Sequence, residues 1–342
     1  MRSAFAAALA LIFALCLPAG AVEQTPANST PKRIITIGTI IPGHMGWAKR
    51  GKLMILPAID RISEGRLQVK IYWGGIKGDE ENMLRQIHAG KLSGAGFSGA
   101  GSISACPEFS VVSLPFLFRN WDEVDYLRTV MEDDFDRMFN RKKLKLLAWL
   151  DQDFDQVYSS VYDPSSLASL QKARFGLWYG PVEQHLFAGL GIKSVPIRIK
   201  DATRALRESK VDAALAPALY VLGLQIYPDV RYVMDSHLRY SPVAVVLSMD
   251  EWEMFTPEEQ VRLPMELDDA KQKFLELARE DSQKCVDAMV SYGVRRVSLG
   301  PRERIRFEQA ALRAWETMSG ALFSQDLLRQ VTAHLEEYRA AH

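Results

Sequence analysis

The stretch Gln171 to Pro181, QKARFGLWYGP, constrains the fold more than any other. An apolar run from Phe175 to Tyr179 stops at Gly180-Pro181, and the helix-like VEQHLFAGLGI follows. The pattern is a strand, a tight turn and a helix. In an open α/β sheet, the carboxyl end of a strand and the N-terminus of the next helix are where ligands sit. Gly176, Leu177, Trp178, Tyr179 and Gly180 stand at that end and none is charged. The stretch is therefore expected to form one wall of a mostly apolar ligand cleft.

The same alternation runs through the chain. RIITIGTII (33–41) reads as a first strand buried on both faces, LMILPAIDRISEG as a helix and RLQVKIYWGG as a second strand. DEENMLRQIHAGKL reads as a helix with the acidic start and basic end that its dipole favours. SGAGFSGAGSISA (93–105) lacks the Lys-Ser/Thr of a phosphate loop. It reads instead as a strand of small residues, where another backbone or a ligand comes close. VVSLPFLFRNWDEVDYL reads as strand, turn and helix start, and LKLLAWLDQDFDQVYSS (144–160) as a strand pair or one long strand crossing between lobes. KSVPIRI and VRRVSL are short strands, and RYSPVAVVLSMDEW returns to the first lobe. TPEEQVRL opens, with a capping pattern, a long helix to about Tyr292, and amphipathic helices close the chain. Strands alternating with helices predict parallel or mixed α/β sheets. The crossings predict two lobes around a cleft that closes about hinge strands.

Balanced charge (42 Lys plus Arg, 42 Asp plus Glu) gives no reason to expect nucleic acid or an anionic membrane as partner. Arg2, the apolar AFAAALALIFALCLPAG and the small-x-small Ala19-Gly20-Ala21 read as a signal peptide cleaved near Ala21, and so as export to the periplasm. Leu15 before Cys16 does not suit a lipobox. Cys106 and Cys285 remain; an exported protein could pair them, but cysteines so far apart more often stay buried thiols. Catalysis finds little support: there is no HExxH, no GxSxG and no histidine pair at ligand spacing. Asp151, Asp153 and Asp155 form a D-x-D-x-D run without the Gly and Glu of a calcium loop, and read as one solvated strand face. No metal and no cofactor are expected.

Five segments in order carry a family resemblance: ISEGRLQVKIYWGGIKGDEENMLRQIHAGKL, PEFSVVSLPFLFRNWDEV, LGIKSVPI, KVDAALAP and YSPVAVVLSMDEW. The chain resembles the periplasmic solute-binding proteins of TRAP (tripartite ATP-independent periplasmic) transporters, of the dicarboxylate-binding type. The resemblance implies a two-lobed α/β periplasmic binding protein with hinge strands, an interlobe cleft, a long helix spanning both lobes and long C-terminal helices. It divides the chain into a leader (1–21), lobe I (33–150 plus 241–280), lobe II (151–240 plus 281–320) and a C-terminal helix (321–342). It also implies delivery of the ligand to TRAP membrane permease subunits.

The departures from the pattern bear on the ligand. In typical members an Arg pairs with a substrate carboxylate; here Gly176 stands at its position and Arg174 two residues before it. A GFRQ-like segment reads Asp153-Phe154-Asp155-Gln156, and a DGQENP-like one reads Asp212-Ala213-Ala214-Leu215-Ala216-Pro217. A carboxylate taken into a closed cleft without a bidentate partner costs several kcal/mol. Buried apolar surface favours apolar ligands by about 25 cal/mol per Å². The expected ligand is thus hydrophobic or amphipathic, as in apolar-cleft members associated with a periplasmic TPR-repeat protein. The alternatives are an organic acid held by a relocated Arg174 or Arg198, a carrier or sensor that works without a permease, and an enzyme on the same scaffold. Candidate ligand contacts are His44, Trp47, Ser98, Phe154, Gly176, Trp178, Tyr179, Ala216 and Tyr220.

Overall fold

The computed structural model describes residues 33–178 and 180–342, so the leader and Tyr179 lie outside the described residues. Strand β1 (Arg33–Thr39) is followed by α1 (Gly46–Arg50), a π-helical turn (Gly51–Ile55) and α2 (Leu56–Ile62). Then come β2 (Leu67–Tyr72), α3 (Glu80–His88), β3 (Gly94–Phe97), α4 (Gly99–Ala105), α5 (Trp121–Asn140) and the long β4 (Leu144–Ser159). The middle of the chain runs α6 (Leu167–Leu170), β5 (Arg174–Leu177), α7 (Pro181–Leu190), β6 (Lys193–Pro196), α8 (Ala202–Arg207), β7 (Ala213–Ala216) and α9 (Ala218–Gly223). A second long strand, β8 (Tyr232–Ser248), leads through α10 (Met249–Trp252) into the 35-residue α11 (Pro257–Ser291). The chain closes with β9 (Arg295–Val297), α12 (Pro301–Met318) and α13 (Gln325–Ala341).

All the described strands share one mixed sheet, ordered β2-β1-β3-β8-β4-β7-β5-β6, with β9 beside β8. β4 and β8 pair antiparallel along almost their whole length. Strands of 16 and 17 residues, at about 3.3 Å per residue, reach from one half of the molecule to the other. β1, β2 and β3 flank one end of this pair, and β5, β6 and β7 the other. Bulges between Leu146 and Ala148, between Asp151 and Asp153 and between Asp155 and Val157 break the ladder. The last sets four residues of β8 against one of β4 and holds His237 at φ 47°. Bulges bend and twist a strand locally, which suits a hinge.

Helices cover both faces. On one face of the first half, Phe97, Phe109, Met131, Phe135 and Trp149 are sealed beneath α3, α4, α5 and α13. The other face lies beneath α1, the π turn, α2 and the start of α11. In the second half α7 and α12 cover Phe175 and Leu215, while α8, α9 and the end of α11 cover the opposite face. Helix α11 therefore touches both halves. Thr256 and Glu259 form a reciprocal capping box at its start.

Three local expectations change. Residues 98–105 are helical and do not extend β3: the Glu80 carboxylate accepts from the backbone N–H of Ser98 (2.5 Å) and Gly101 (3.0 Å), capping α4 from another element. Pro107–Ser113 is a 3₁₀ helix rather than a strand, opened by Pro107 and buried on all sides from Phe109 onward. β1 is not buried on both faces, since Ile34 is 54% exposed. The small-residue reading of β3 holds. A Cβ on Gly94 would stand 2.0 Å from the Val246 carbonyl oxygen, so only glycine permits this pairing. Cys106 and Cys285 are free and buried. No helix among the described residues is long and apolar enough to cross a membrane.

Candidate ligand cleft

The two halves meet where the loop after β1 and the start of α1 reach α9. Trp47 and Tyr220 contact edge to face, with ring centroids 5.2 Å apart at 76°. A Cβ on Gly223 would lie 2.9 Å from the Met45 Cε, and one on Gly46 3.4 Å from Leu219. Arg50 on α1 grips Asp281 on α11 with two hydrogen bonds, of 2.8 and 2.7 Å. Gln152, on the long strand β4 that joins the halves, lies beside Tyr220.

The polar groups at this junction are mostly uncharged. Trp47, Gln152 and Tyr220 are all buried. The Trp47 Nε1, both polar atoms of the Gln152 amide and the Tyr220 hydroxyl make no well-aligned hydrogen bond among the described residues. Burial pushes the Tyr220 phenol well up; the nearby Glu80 adds to this, and a poorly aligned side-chain hydrogen-bond contact with Gln152 opposes it. Ser98 donates its hydroxyl to Glu80 at 2.8 Å, and that buried carboxyl is raised chiefly by burial. Buried polar groups normally find partners, at a cost of about 1–3 kcal/mol each when they do not. A cluster of such groups between two lobes is what a small ligand would complete.

The D-x-D-x-D run is not a solvated face. Asp151, Asp153 and Asp155 are each 3% exposed or less. Asp151 is held by Arg128, Tyr240 and Arg279. Asp155 pairs with Arg239 directly across the β4–β8 ladder and accepts from Ser241 at 2.9 Å. Asp153 accepts from Ser282 on α11 and from the backbone N–H of Ala218 at 2.9 Å. Burial pushes its carboxyl up to about 7, with Asp155 adding to the shift and its two donors opposing it. Partners on distant elements explain the burial, and none is visible in the run itself. No cluster of His, Cys, Asp and Glu among the described residues could hold a metal.

Gly176 is buried at the end of β5, and a Cβ there would stand 2.8 Å from Ile197 and 3.3 Å from the Trp178 ring. The Trp178 ring thus lies over the position that the resemblance gives to an arginine. The Trp178 backbone N–H donates to the buried Glu183 at 2.9 Å, which pins the turn before α7. Trp178 follows the strand rather than lying on it, and Tyr179, one residue on, lies outside the described residues. Ala216 is buried in the same apolar cluster as Trp47, Tyr220 and Trp178. Two candidates lie apart. Phe154 is sealed in the core of the first half, stacked on His237 at 4.6 Å and against Trp121, and His44 is exposed on the loop. Arg174 makes a bidentate pair with Asp212 (2.9 and 2.8 Å), and the exposed Arg198 pairs with Asp201. Gln152, Glu80 and Arg239 were missed from the sequence, and Asp153 was read there as part of a solvated face. Glu80 looked like any helix-start acid, and Gln152 carried no signal at all.

Comparison with known proteins places this architecture. The model of the bacterial extracellular solute-binding proteins, family 7 (DctP), matches residues 54–321. The chain belongs to that family. A relative in Escherichia coli K12, the 2,3-diketo-L-gulonate-binding periplasmic protein YiaO, is 24% identical over 68% of this chain and 71% of its own. Among solved structures, the sugar acid binding protein DctPAm of Advenella mimigardefordensis, in complex with galactonate, superposes with a TM-score of 0.82. It covers 90% of this chain and 99% of its own, at 19% identity. A TRAP periplasmic solute-binding protein of Desulfovibrio salexigens with bound orotic acid gives 0.82 at 17% identity, over 90% and 99%. The DctP fold of this chain is thus the two-lobed one, and its long β4 and β8 are the strands shared by the two lobes.

Proposed function

We propose that this DctP-family protein is the extracytoplasmic binding subunit of a TRAP-type transporter. It would capture an amphipathic organic molecule with an uncharged polar end, and pass it to a membrane permease pair. The observation that carries the ligand class is the junction of Trp47, Gln152 and Tyr220. Their buried hydrogen-bonding groups are uncharged and lie within an apolar cluster. The relatives named above are described with sugar acids and orotic acid, which speaks for a small organic solute. The cleft departs from acid capture in its charge: Gly176 lies under Trp178, and Arg239 is committed to Asp155. Among the described residues Arg174, Arg198 and Arg239 each pair with a carboxylate of the chain, so an anion taken up here would have to compete for a fork-like cation or face a penalty of several kcal/mol. A hydroxyl or carbonyl meeting the Gln152 amide and the Tyr220 hydroxyl faces no such penalty.

Mass spectrometry of the ligand carried through gentle purification tests this directly. A stoichiometric neutral or weakly polar species supports the reading, and a sugar acid or dicarboxylate at stoichiometry refutes it. Gln152→Ala should weaken binding of the recovered species about tenfold, the loss of roughly one hydrogen bond to a buried group.

A further inference from the structure

An apolar chamber of about 250 Å³ lies within lobe I, between the sheet and the layer formed by α1, the π turn, α2 and α11. Its lining runs along β1 from Ile35 to Thr39, a path of ~13 Å at 3.3 Å per residue, and on to Ile41 beyond the strand. The wall is apolar apart from Thr39 and Asp151, and the Asp151 carboxylate is turned to Arg128, Arg279 and Tyr240. The two faces of the sheet differ sharply. Phe97, Trp149 and Val246 on the far face have no exposed surface, whereas Ile37, Val69, Leu147 and Val245 facing the chamber are only half-buried.

Local sequence explains the stand-off. The π turn Gly51–Ile55 buries none of its residues, and Leu53 is 77% exposed. Pro264 lies inside α11 on the lining, where it lacks an N–H and disturbs the helix. At the cleft end Gly96 leaves open space: a Cβ there would meet nothing nearer than Thr39, at 3.9 Å. Trp47 belongs both to this lining and to the ligand junction. Apolar cavities of about 150 Å³ stay dry and take up apolar molecules.

We infer that this chamber receives an unbranched hydrocarbon chain, the tail of the ligand whose polar end meets Gln152 and Tyr220. The chain enters past Trp47 and lies along β1 beneath the π turn. The inference rests on the cleft reading above for its polar end alone. An elongated chamber suits a linear chain rather than a fused ring system.

Straight-chain 1-alkanols of increasing length, titrated into the delipidated protein and followed by calorimetry, test it. Affinity should rise about fourfold per methylene until the chamber is full, and then level off. Val69→Phe and, more gently, Val245→Ile should move the plateau to shorter chains and raise the thermal midpoint of the empty protein. Affinity independent of chain length overturns the inference, as does a plateau that neither substitution moves. Gln152→Ala should weaken all chain lengths by one common factor. If it has no effect while the chain-length series persists, the chamber stands and the cleft reading fails.

Discussion

Replacing Asp153 with Asn should remove most of the pH dependence of stability between pH 4 and 8. The Asp153 carboxyl titrates near 3.8 in an unfolded chain and is pushed up to about 7 by burial in the folded one. Between those values the folded protein holds a proton that the unfolded chain has released, so folding loses stability as pH rises. Its contribution is fully present below about pH 4 and is lost as pH climbs through 7. About three units at roughly 1.4 kcal/mol each give ~4 kcal/mol, a large fraction of a typical domain's stability. Asn mimics the protonated acid and keeps an acceptor for Ser282 and the Ala218 N–H. The variant and the parent should therefore match in urea unfolding at pH 4. Above pH 7 the variant should be the more stable by up to ~4 kcal/mol. Curves of stability against pH that run parallel for the two proteins would refute the assignment. They would show that Asp153 is ionised in the folded state over the whole range.

Three further outcomes follow from buried groups and close approaches. Asp155→Ala removes the carboxylate that faces Arg239 across the ladder and should cost about 3–5 kcal/mol in urea unfolding; a cost under 1 kcal/mol would contradict the pairing. Gly94→Ala forces a carbon onto the Val246 carbonyl and should destabilise by at least ~2 kcal/mol; a thermal midpoint equal to the parent's would show that β3 and β8 do not approach so closely. Burial pushes the Cys106 and Cys285 thiols up to about 12, so both should resist iodoacetamide at pH 8 in the folded protein and react in urea, as peptide mass mapping would show.

The elements legible in the sequence were those with strong local signals. The turn at Gly180-Pro181 is one, with Gly180 at φ 79°. The Thr256 capping box and the long apolar strands are others. The family pattern extended these to the whole two-lobed sheet. What escaped depended on partners far along the chain. The helix at Gly99 is capped by Glu80, and the Asp151–Asp155 run is buried because Arg128, Arg239, Arg279 and Ser282 arrive from other elements. A D-x-D-x-D strand looks solvated when its partners lie more than twenty residues away. Gln152 escaped for a related reason: what marks it is the lack of an aligned partner, a property that only packing reveals.

The placement of charge also bears on how such a cleft could close. Where an arginine must meet a carboxylate, much of the drive to bring two lobes together comes from the ligand's own charge. Here the charges at the hinge neutralise one another within the chain, Asp155 with Arg239 and Asp151 with Arg128 and Arg279. The Arg50–Asp281 pair that ties α1 to α11 is partly exposed and worth no more than about 1 kcal/mol. The contact that joins the lobes most directly is apolar, Trp47 on Tyr220 and Met45 against Gly223. On the proposed reading of the ligand, closure in this chain would be governed by how much apolar surface the ligand lets the lobes bury. A ligand that lengthens the apolar path past Trp47 strengthens closure without adding a single ion pair.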